Sequence, residues 1–376
     1  MSAAEAAAGF AAVYGTACEG VWEAPGRVNL IGEYTDVNDG FVLPMALPHR
    51  TRVAAAARTD GLLRLHSAAA PGTVSELAVA DLAPGAVPGW AAYPAGVVWA
   101  LREAGHDVSG GADLHVESEV PVGAGLSSSA ALEVATALAL DGLYGLGPAR
   151  PELARLAQRA ENAFVGVPCG IMDQMASACC TEGHVLHLDT RDLSWRQIPF
   201  DPAAWGLRLL VVDTGVKHEV GDGEYARRRE GCEAAARALG VRALRDIAYE
   251  ELDAALARLP GPGARALVRH VVGENHRVEQ VAALLDAGDP RLVGPLLTAG
   301  HASLRDDFAV SCAELDLVVA AACGAGALGA RMTGAGFGGS AVVLAEEADA
   351  EAVEKAVPAA FEAAGLRAPR IFAVPG

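Results

Sequence analysis

The sequence predicts an α+β protein of two domains, and three observations carry that reading. At 376 residues the chain exceeds what one hydrophobic core ordinarily supports. Hydrophobic residues make up 52% of it, ample for two cores. Helical periodicities interleave with strand-like runs, and the strands come in hairpin-like groups as well as between helices, which predicts mixed sheets with flanking helices. A turn-like DPAAWG at 201–206 separates two strand-like runs, so the expected domains are 1–203 and 204–376.

In chain order, MSAAEAAAGFAAVYG at 1–15 carries Glu5 and no basic region, so it does not read as a secretory signal. APGRVNLIGEYTDVNDGFVLP at 24–44 packs Arg27, Asn29, Glu33, Thr35, Asp36, Asn38 and Asp39 between apolar runs. A ligand with several hydroxyls, such as a sugar, demands that density, because each buried hydroxyl needs a partner. A polar loop with Asx turns explains Asn38 and Asp39 equally well, but it explains Arg27 and Glu33, which flank Leu30 and Ile31, poorly. Short Gly/Pro-rich loops follow at 70–73 and 83–89.

Leu114 to Val120 alternates like a strand, with Leu114, Val116 and Val120 on one face and His115, Glu117 and Glu119 on the other. It leads into PVGAGLSSSAA at 121–131 and then a helical AALEVATALALDGLYG. Gly123 and Gly125 let backbone approach an anion, the helix start offers unpaired N–H groups, and Ser127, Ser128 and Ser129 add donors, one of them able to ligate magnesium. A tight turn with a serine N-cap is the bland alternative. No lysine stands in the loop, so it is not a Walker A sequence.

Further helices are expected at 151–164, 225–239, 265–287 and 312–323, and strands at 184–188, 207–213 and 340–344. In NAFVGVPCGIMDQMASACC at 162–180, Asp173 is the lone charge of an apolar stretch, so it calls for a cationic neighbour; a helix N-cap is the alternative. Glu161, on the helix before it, passes alone as a solvated charge. VKHEVGDGEYARRRE at 216–230 leads an acidic loop into a helix where Tyr225 either reaches a ligand or packs. ARMTGAGFGGSAVVL at 330–344 runs a Gly-rich turn into a strand, which is not the context of a dinucleotide fingerprint; close backbone packing explains it as well.

The net charge of −18 argues against nucleic acid or an anionic membrane as a partner, and no apolar run is long and clean enough to span a bilayer. Seven irregularly spaced cysteines form no disulfide framework and predict reduced thiols in a cytoplasm. The ten histidines fall into no metal-ligand spacing.

Taken together, these segments resemble the galactokinases of the GHMP family of small-molecule kinases, over essentially the whole chain. GRVNLIGE-T-D-NDGFVLP within 26–44 is similar to the galactokinase signature, PVGAGLSSSAALEVA at 121–135 to the family's ATP loop, and MTGAGFGGSAVVL at 332–344 to its third motif. VGVPCGIMDQ at 165–174 and KHE…EYARRRE at 217–230 narrow the resemblance to galactokinases. It implies the two-domain GHMP fold with the active site in the cleft between domains, and a monomeric cytoplasmic enzyme that uses Mg2+ and ATP to phosphorylate the anomeric hydroxyl of galactose. By the same resemblance, Asp173 takes the proton from that hydroxyl, and Arg27 keeps the aspartate ionised and stabilises charge on the reacting oxygen. Glu33, Asp36, Gly170 and Tyr225 hold the other sugar hydroxyls, Ser128 and Glu161 ligate magnesium, and Trp90 and Tyr93 surround adenine. The triphosphate cradle is Gly123, Ala124, Gly125, Leu126, Ser127, Ser128, Ser129 and Ala130. Galactokinases usually read GEHTDYN where this chain has Tyr34 and Val37, which places Tyr34 near the sugar's C6 hydroxyl and leaves altered C6 tolerance open. Another GHMP sugar kinase and a non-catalytic galactose and ATP sensor are the alternative readings.

Overall fold

The computed structural model describes residues 2–216 and 223–374. A capping box opens α1 (Ala3–Tyr14): Ser2 Oγ accepts from the Glu5 N–H, and the Ser2 N–H donates to the Glu5 carboxylate. Then come β1 (Gly20–Asn29), β2 (Phe41–Val42), β3 (Pro44–Ala57), β4 (Leu62–Ser67), β5 (Ser75–Ala78), α2 (Ala92–Glu103), β6 (Gly111–Ser118), α3 (Ser128–Tyr144), α4 (Arg150–Arg159) and α5 (Met172–Cys179). A second run follows: β7 (His184–Asp189), β8 (Trp195–Pro199), β9 (Leu207–Asp213), α6 (Glu224–Leu239), α7 (Leu252–Arg258) and α8 (Pro262–Asp286). The chain closes with α9 (Val293–Asp306), α10 (Ala313–Gly324), β10 (Gly329–Thr333), β11 (Ser340–Glu346), α11 (Glu347–Ala363) and β12 (Arg370–Val374).

Two compact units share these elements. The first comprises Met1–Arg27, Leu47–Pro121 and Ser127–Cys179, the second Val28–Ala46, Val122–Leu126 and Cys180–Gly376. The expected helices and strands appear within a few residues of their predicted ends. The exception is 151–164, which is α-helical only to Arg159 and then widens into a π-helical turn, Ala160–Val165. The turn expected at 201–206 contains a 3-10 turn, Ala203–Trp205.

In the first unit a five-stranded sheet has the order β1-β3-β6-β4-β5, with β4 parallel to β6 and antiparallel to β5. The strand expected at 114–120 is β6, set back by a few residues and buried continuously from Gly111 to Val116. His115, on the face opposite Leu114, is covered because α1 lies across β6. The helices α2, α3, α4 and α5 pack on one another through residues such as Val97, Val134, Leu153 and Met175, all essentially inaccessible.

In the second unit β10-β11-β9-β12 form an antiparallel sheet whose central strand pairs Val342 with Val211 and Leu344 with Leu209. Its core draws Val212, Val268, Val271, Leu304, Val318, Val343 and Phe361 together from the sheet and from α8, α9, α10 and α11. A smaller antiparallel sheet, β2-β7-β8, packs against α8. Where α9 meets β10, a side chain on Gly329 would put its Cβ 1.9 Å from the Gly294 carbonyl oxygen, so only glycine allows that approach. Among the described residues, no helix is long and apolar enough to cross a membrane.

Candidate active site

Asp173 has the cationic neighbour that its apolar surroundings call for. The last residues of β1 are buried, and there Arg27, 4% exposed, turns the edge of its guanidinium onto the carboxylate. Arg27 Nε donates to Asp173 Oδ1 and Nη2 to Oδ2, each at 2.9 Å. Such a fork fixes orientation as well as charge. Ser177, one turn along α5, donates its hydroxyl to the Pro25 carbonyl at 2.8 Å and so ties the helix to the strand that carries Arg27. Asp173 itself lies in the first turn of α5, where a negative charge is favoured, and its side chain stays 28% exposed. It is held, yet reachable.

A third donor reaches the same carboxylate. Ser127 Oγ donates to Asp173 Oδ2 at 2.5 Å. Ser127 precedes α3 in the left-handed conformation, φ 60 and ψ 45, and its hydroxyl does not cap the helix. Ser128 and Ser129 open α3 half-buried, and Ala130 is fully buried. In the preceding loop Gly123 and Gly125 both take positive φ, Val122 is exposed, and Ala124 and Leu126 are buried. The Gly-rich turn between β10 and β11 backs that loop: Ser340 Oγ donates to the Ala124 carbonyl at 2.7 Å, and a Cβ on Gly339 would stand 3.1 Å from the same oxygen. Its glycines thus serve close backbone packing.

The π-helical turn carries Glu161 into the interior of the first unit, where it meets Glu133 of α3. Gln174 Nε2 donates to both carboxylates, at 2.7 Å and 3.1 Å, and the Cys169 thiol donates to Glu161 at 3.6 Å. Burial first, and then the charge of Glu161, hold the Glu133 carboxyl well above its ordinary range. Burial, then Asp173, push Glu161 up to about 7, while a hydrogen bond from Ser129 works the other way. Tyr93, in the first turn of α2, is half-buried near this cluster; burial and then Glu161 raise its phenol to about 12. Trp90 is half-buried in the 3-10 turn just before it. Gly170 lies half-exposed in the segment entering α5.

The remaining expected sugar ligands belong to the second unit. Glu33, 1% exposed, accepts from the Arg331 guanidinium and from the Gly334 N–H at 3.2 Å. Arg331, wholly buried, also pairs with Glu274 at 2.7 Å, and Glu274 accepts from the Gly32 N–H and from Arg277. Tyr34 is 4% exposed, donates its hydroxyl to the Ala335 carbonyl at 2.6 Å, and packs its ring on Tyr225 and Phe308. Asp36 begins a 3-10 turn and is half-buried. Tyr225 is the second residue of α6; Lys217, His218 and Glu219 of the same motif lie outside the described residues.

Sequence reasoning passed over Glu133, Gln174, Glu274 and Arg331. Glu133 had a signal, the one charge in the apolar run 130–140, and so did Arg331, a charge entering an apolar strand. Glu274 had none, because in a helix rich in charges it reads as one more solvated residue.

Three family descriptions match the chain: the galactokinase galactose-binding signature at residues 8–57, the N-terminal domain of GHMP kinases at 92–181 and their C-terminal domain at 281–363. The chain is 65% identical to the galactokinase of Streptomyces coelicolor over 97% of its own length and 95% of the relative's. It is 46% identical to that of Mycobacterium tuberculosis over 94% and 97%. Among solved structures, galactokinase from Lactococcus lactis complexed with galactose matches with a TM-score of 0.93 and 32% identity, covering 99% of this chain and 97% of that one. Leishmania major mevalonate kinase, at 23% identity and a TM-score of 0.62 over 94% of each chain, shares the fold. The chain belongs to the galactokinase family of GHMP kinases, ATP-dependent sugar kinases.

Proposed function

We propose that this chain phosphorylates the anomeric hydroxyl of galactose, giving α-galactose 1-phosphate and ADP, with Asp173 as base and Arg27 as its partner. The observation that carries the reading is the partly exposed Asp173 carboxylate, gripped by the Arg27 fork within a buried wall. Phosphoryl transfer rests on positioning and charge neutralisation, and an oriented carboxylate beside a fixed cation supplies both at the attacking oxygen. As the sugar oxygen bonds to phosphorus, its proton passes to Asp173, and the guanidinium offsets charge on that oxygen. Residues 123–130 cradle the triphosphate, Trp90 and Tyr93 flank adenine, and Glu33, Tyr34, Asp36, Gly170 and Tyr225 line the sugar.

Among the described residues no group of three or more His, Cys, Asp or Glu side chains is arranged to hold a metal. A hydroxyl and one carboxylate suit Mg2+, which takes few protein ligands and completes its shell with phosphate and water. Glu161 with Ser128 would hold it. The ion would neutralise charge on the β- and γ-phosphates. The same reading has the enzyme act as a monomer in the cytoplasm, where its seven free cysteines would stay reduced. The division at 203/204 is kept as the boundary of its N- and C-terminal family domains, since the matched segments end at 181 and resume at 281.

ADP release with Mg-ATP across galactose, 6-deoxygalactose, arabinose, N-acetylgalactosamine and a no-sugar blank tests the reading. Turnover is expected with galactose foremost; turnover highest on a C6-altered sugar would transfer the specificity, and binding without turnover would make the chain a sensor.

A further inference from the structure

We infer that Ser127 is a positioning residue for the base Asp173, not a phosphate ligand of the ATP loop. The inference rests on the kinase reading above and concerns a residue whose place in the loop assigns it to the triphosphate.

Two independent features point the same way. The first is the bond itself, in which Ser127 Oγ donates to Asp173 Oδ2 at 2.5 Å, a length typical of a hydroxyl on a carboxylate. The second is the backbone. A serine entering a helix ordinarily has extended dihedrals and caps the first-turn N–H groups with its own oxygen. Ser127 instead takes φ 60 and ψ 45, a conformation that costs a non-glycine residue energy, and makes no such cap. The left-handed turn sends the hydroxyl to Asp173 and leaves the helix start uncapped by it. Ser127 is 7% exposed, so its hydroxyl is shielded from water that would compete for the bond.

The bond completes the restraint on the carboxylate. Arg27 fixes one edge, Nε on Oδ1 and Nη2 on Oδ2, and Ser127 takes a second position on Oδ2. Arg27 Nη2 also stands 2.7 Å from Oδ1, so both carboxylate oxygens are held and the side chain has one orientation toward the sugar. Ser127 thus acts through Asp173.

The test compares Ser127→Ala and Ser127→Gly with the parent in galactose-dependent ADP release, with calorimetric titration of ADP and thermal melts on the same preparations. Both variants lose the hydroxyl, while glycine accepts the left-handed backbone without strain. The expected result is a fall in kcat of about ten- to a hundred-fold in both, as removal of one hydrogen bond to a charged group gives. The KM for ATP and the affinity for ADP are expected within about twofold of the parent. A glycine variant as active as the parent would reduce the role to backbone shape. Weaker ADP binding with kcat unchanged would return Ser127 to the phosphate. Unaltered kinetics in both variants would also overturn the proposal. If the parent itself shows no galactose-dependent turnover, the kinase reading fails first, and the melts separate misfolding from either outcome.

Discussion

Tyr34 shows how a residue's partners narrow its role. Its phenol proton is committed to the Ala335 carbonyl and its ring is enclosed by Tyr225 and Phe308. Toward a ligand it can offer only bulk and a remaining lone pair, so the histidine-to-tyrosine difference acts through shape. Tyr34→Phe leaves the Ala335 carbonyl without that donor, and a loss of about 1–3 kcal/mol of stability is expected in denaturant unfolding. The ratio of kcat/KM for galactose over 6-deoxygalactose is expected to stay within about twofold of the parent. A large change in that ratio would show that the phenol hydroxyl contacts the sugar.

At the scale of elements, the motifs were legible where composition betrays a task. The glycines and serines of 121–131 announced a special turn, and the lone charge at Asp173 announced a partner. What could not be read was which atoms meet. The Arg27–Asp173 fork spans 146 positions and the Glu33–Arg331 pair 298, and no local pattern encodes such distances. The π-helical turn was hidden as well, since its residues fit a helix and only tertiary packing widens it. The third motif resolves toward packing: its strands are anchored where α9 and β10 touch at Gly294 and Gly329. Gly329→Ala forces backbone apart at that point and is expected to cost about 1–3 kcal/mol or more. A melting temperature equal to the parent's would show that α9 yields freely.

Across the whole molecule, buried ionisable groups make stability depend on pH. His270 donates from Nε2 to the Glu33 carbonyl, and its Nδ1 lies 3.0 Å from the Ser303 hydroxyl oxygen. Burial, the largest effect, pulls its pKa from 6.5 down to about 4. A depressed histidine contributes stability above 6.5 that is lost as pH falls toward 4, because the unfolded chain takes up the proton first. The His270 contribution, about 2 kcal/mol, is therefore expected to vanish between pH 7 and pH 4.5, against an opposite gain from Glu161 and Glu133, whose raised carboxyls take up protons in the folded chain first. In denaturant titrations the stability of His270→Gln relative to the parent is expected to rise by about that amount from pH 7 to pH 4.5; a difference that does not change with pH would assign the effect to other groups. For Glu274, burial alone would raise the pKa, but Arg331 and Arg277 together bring it down, so its contribution is lost only below about 4.5 and does not overlap that window.

The central claim is that Asp173, oriented by Arg27, is the base for phosphoryl transfer to galactose. Asp173→Asn keeps the side chain's shape and removes its ability to take the proton. Galactose-dependent ADP release, measured for this variant beside calorimetric binding of galactose and ATP, tests the claim most directly. A loss of about a hundred- to ten-thousand-fold in kcat with both ligands still bound is the predicted result. Turnover within about tenfold of the parent, with binding unchanged, would contradict it.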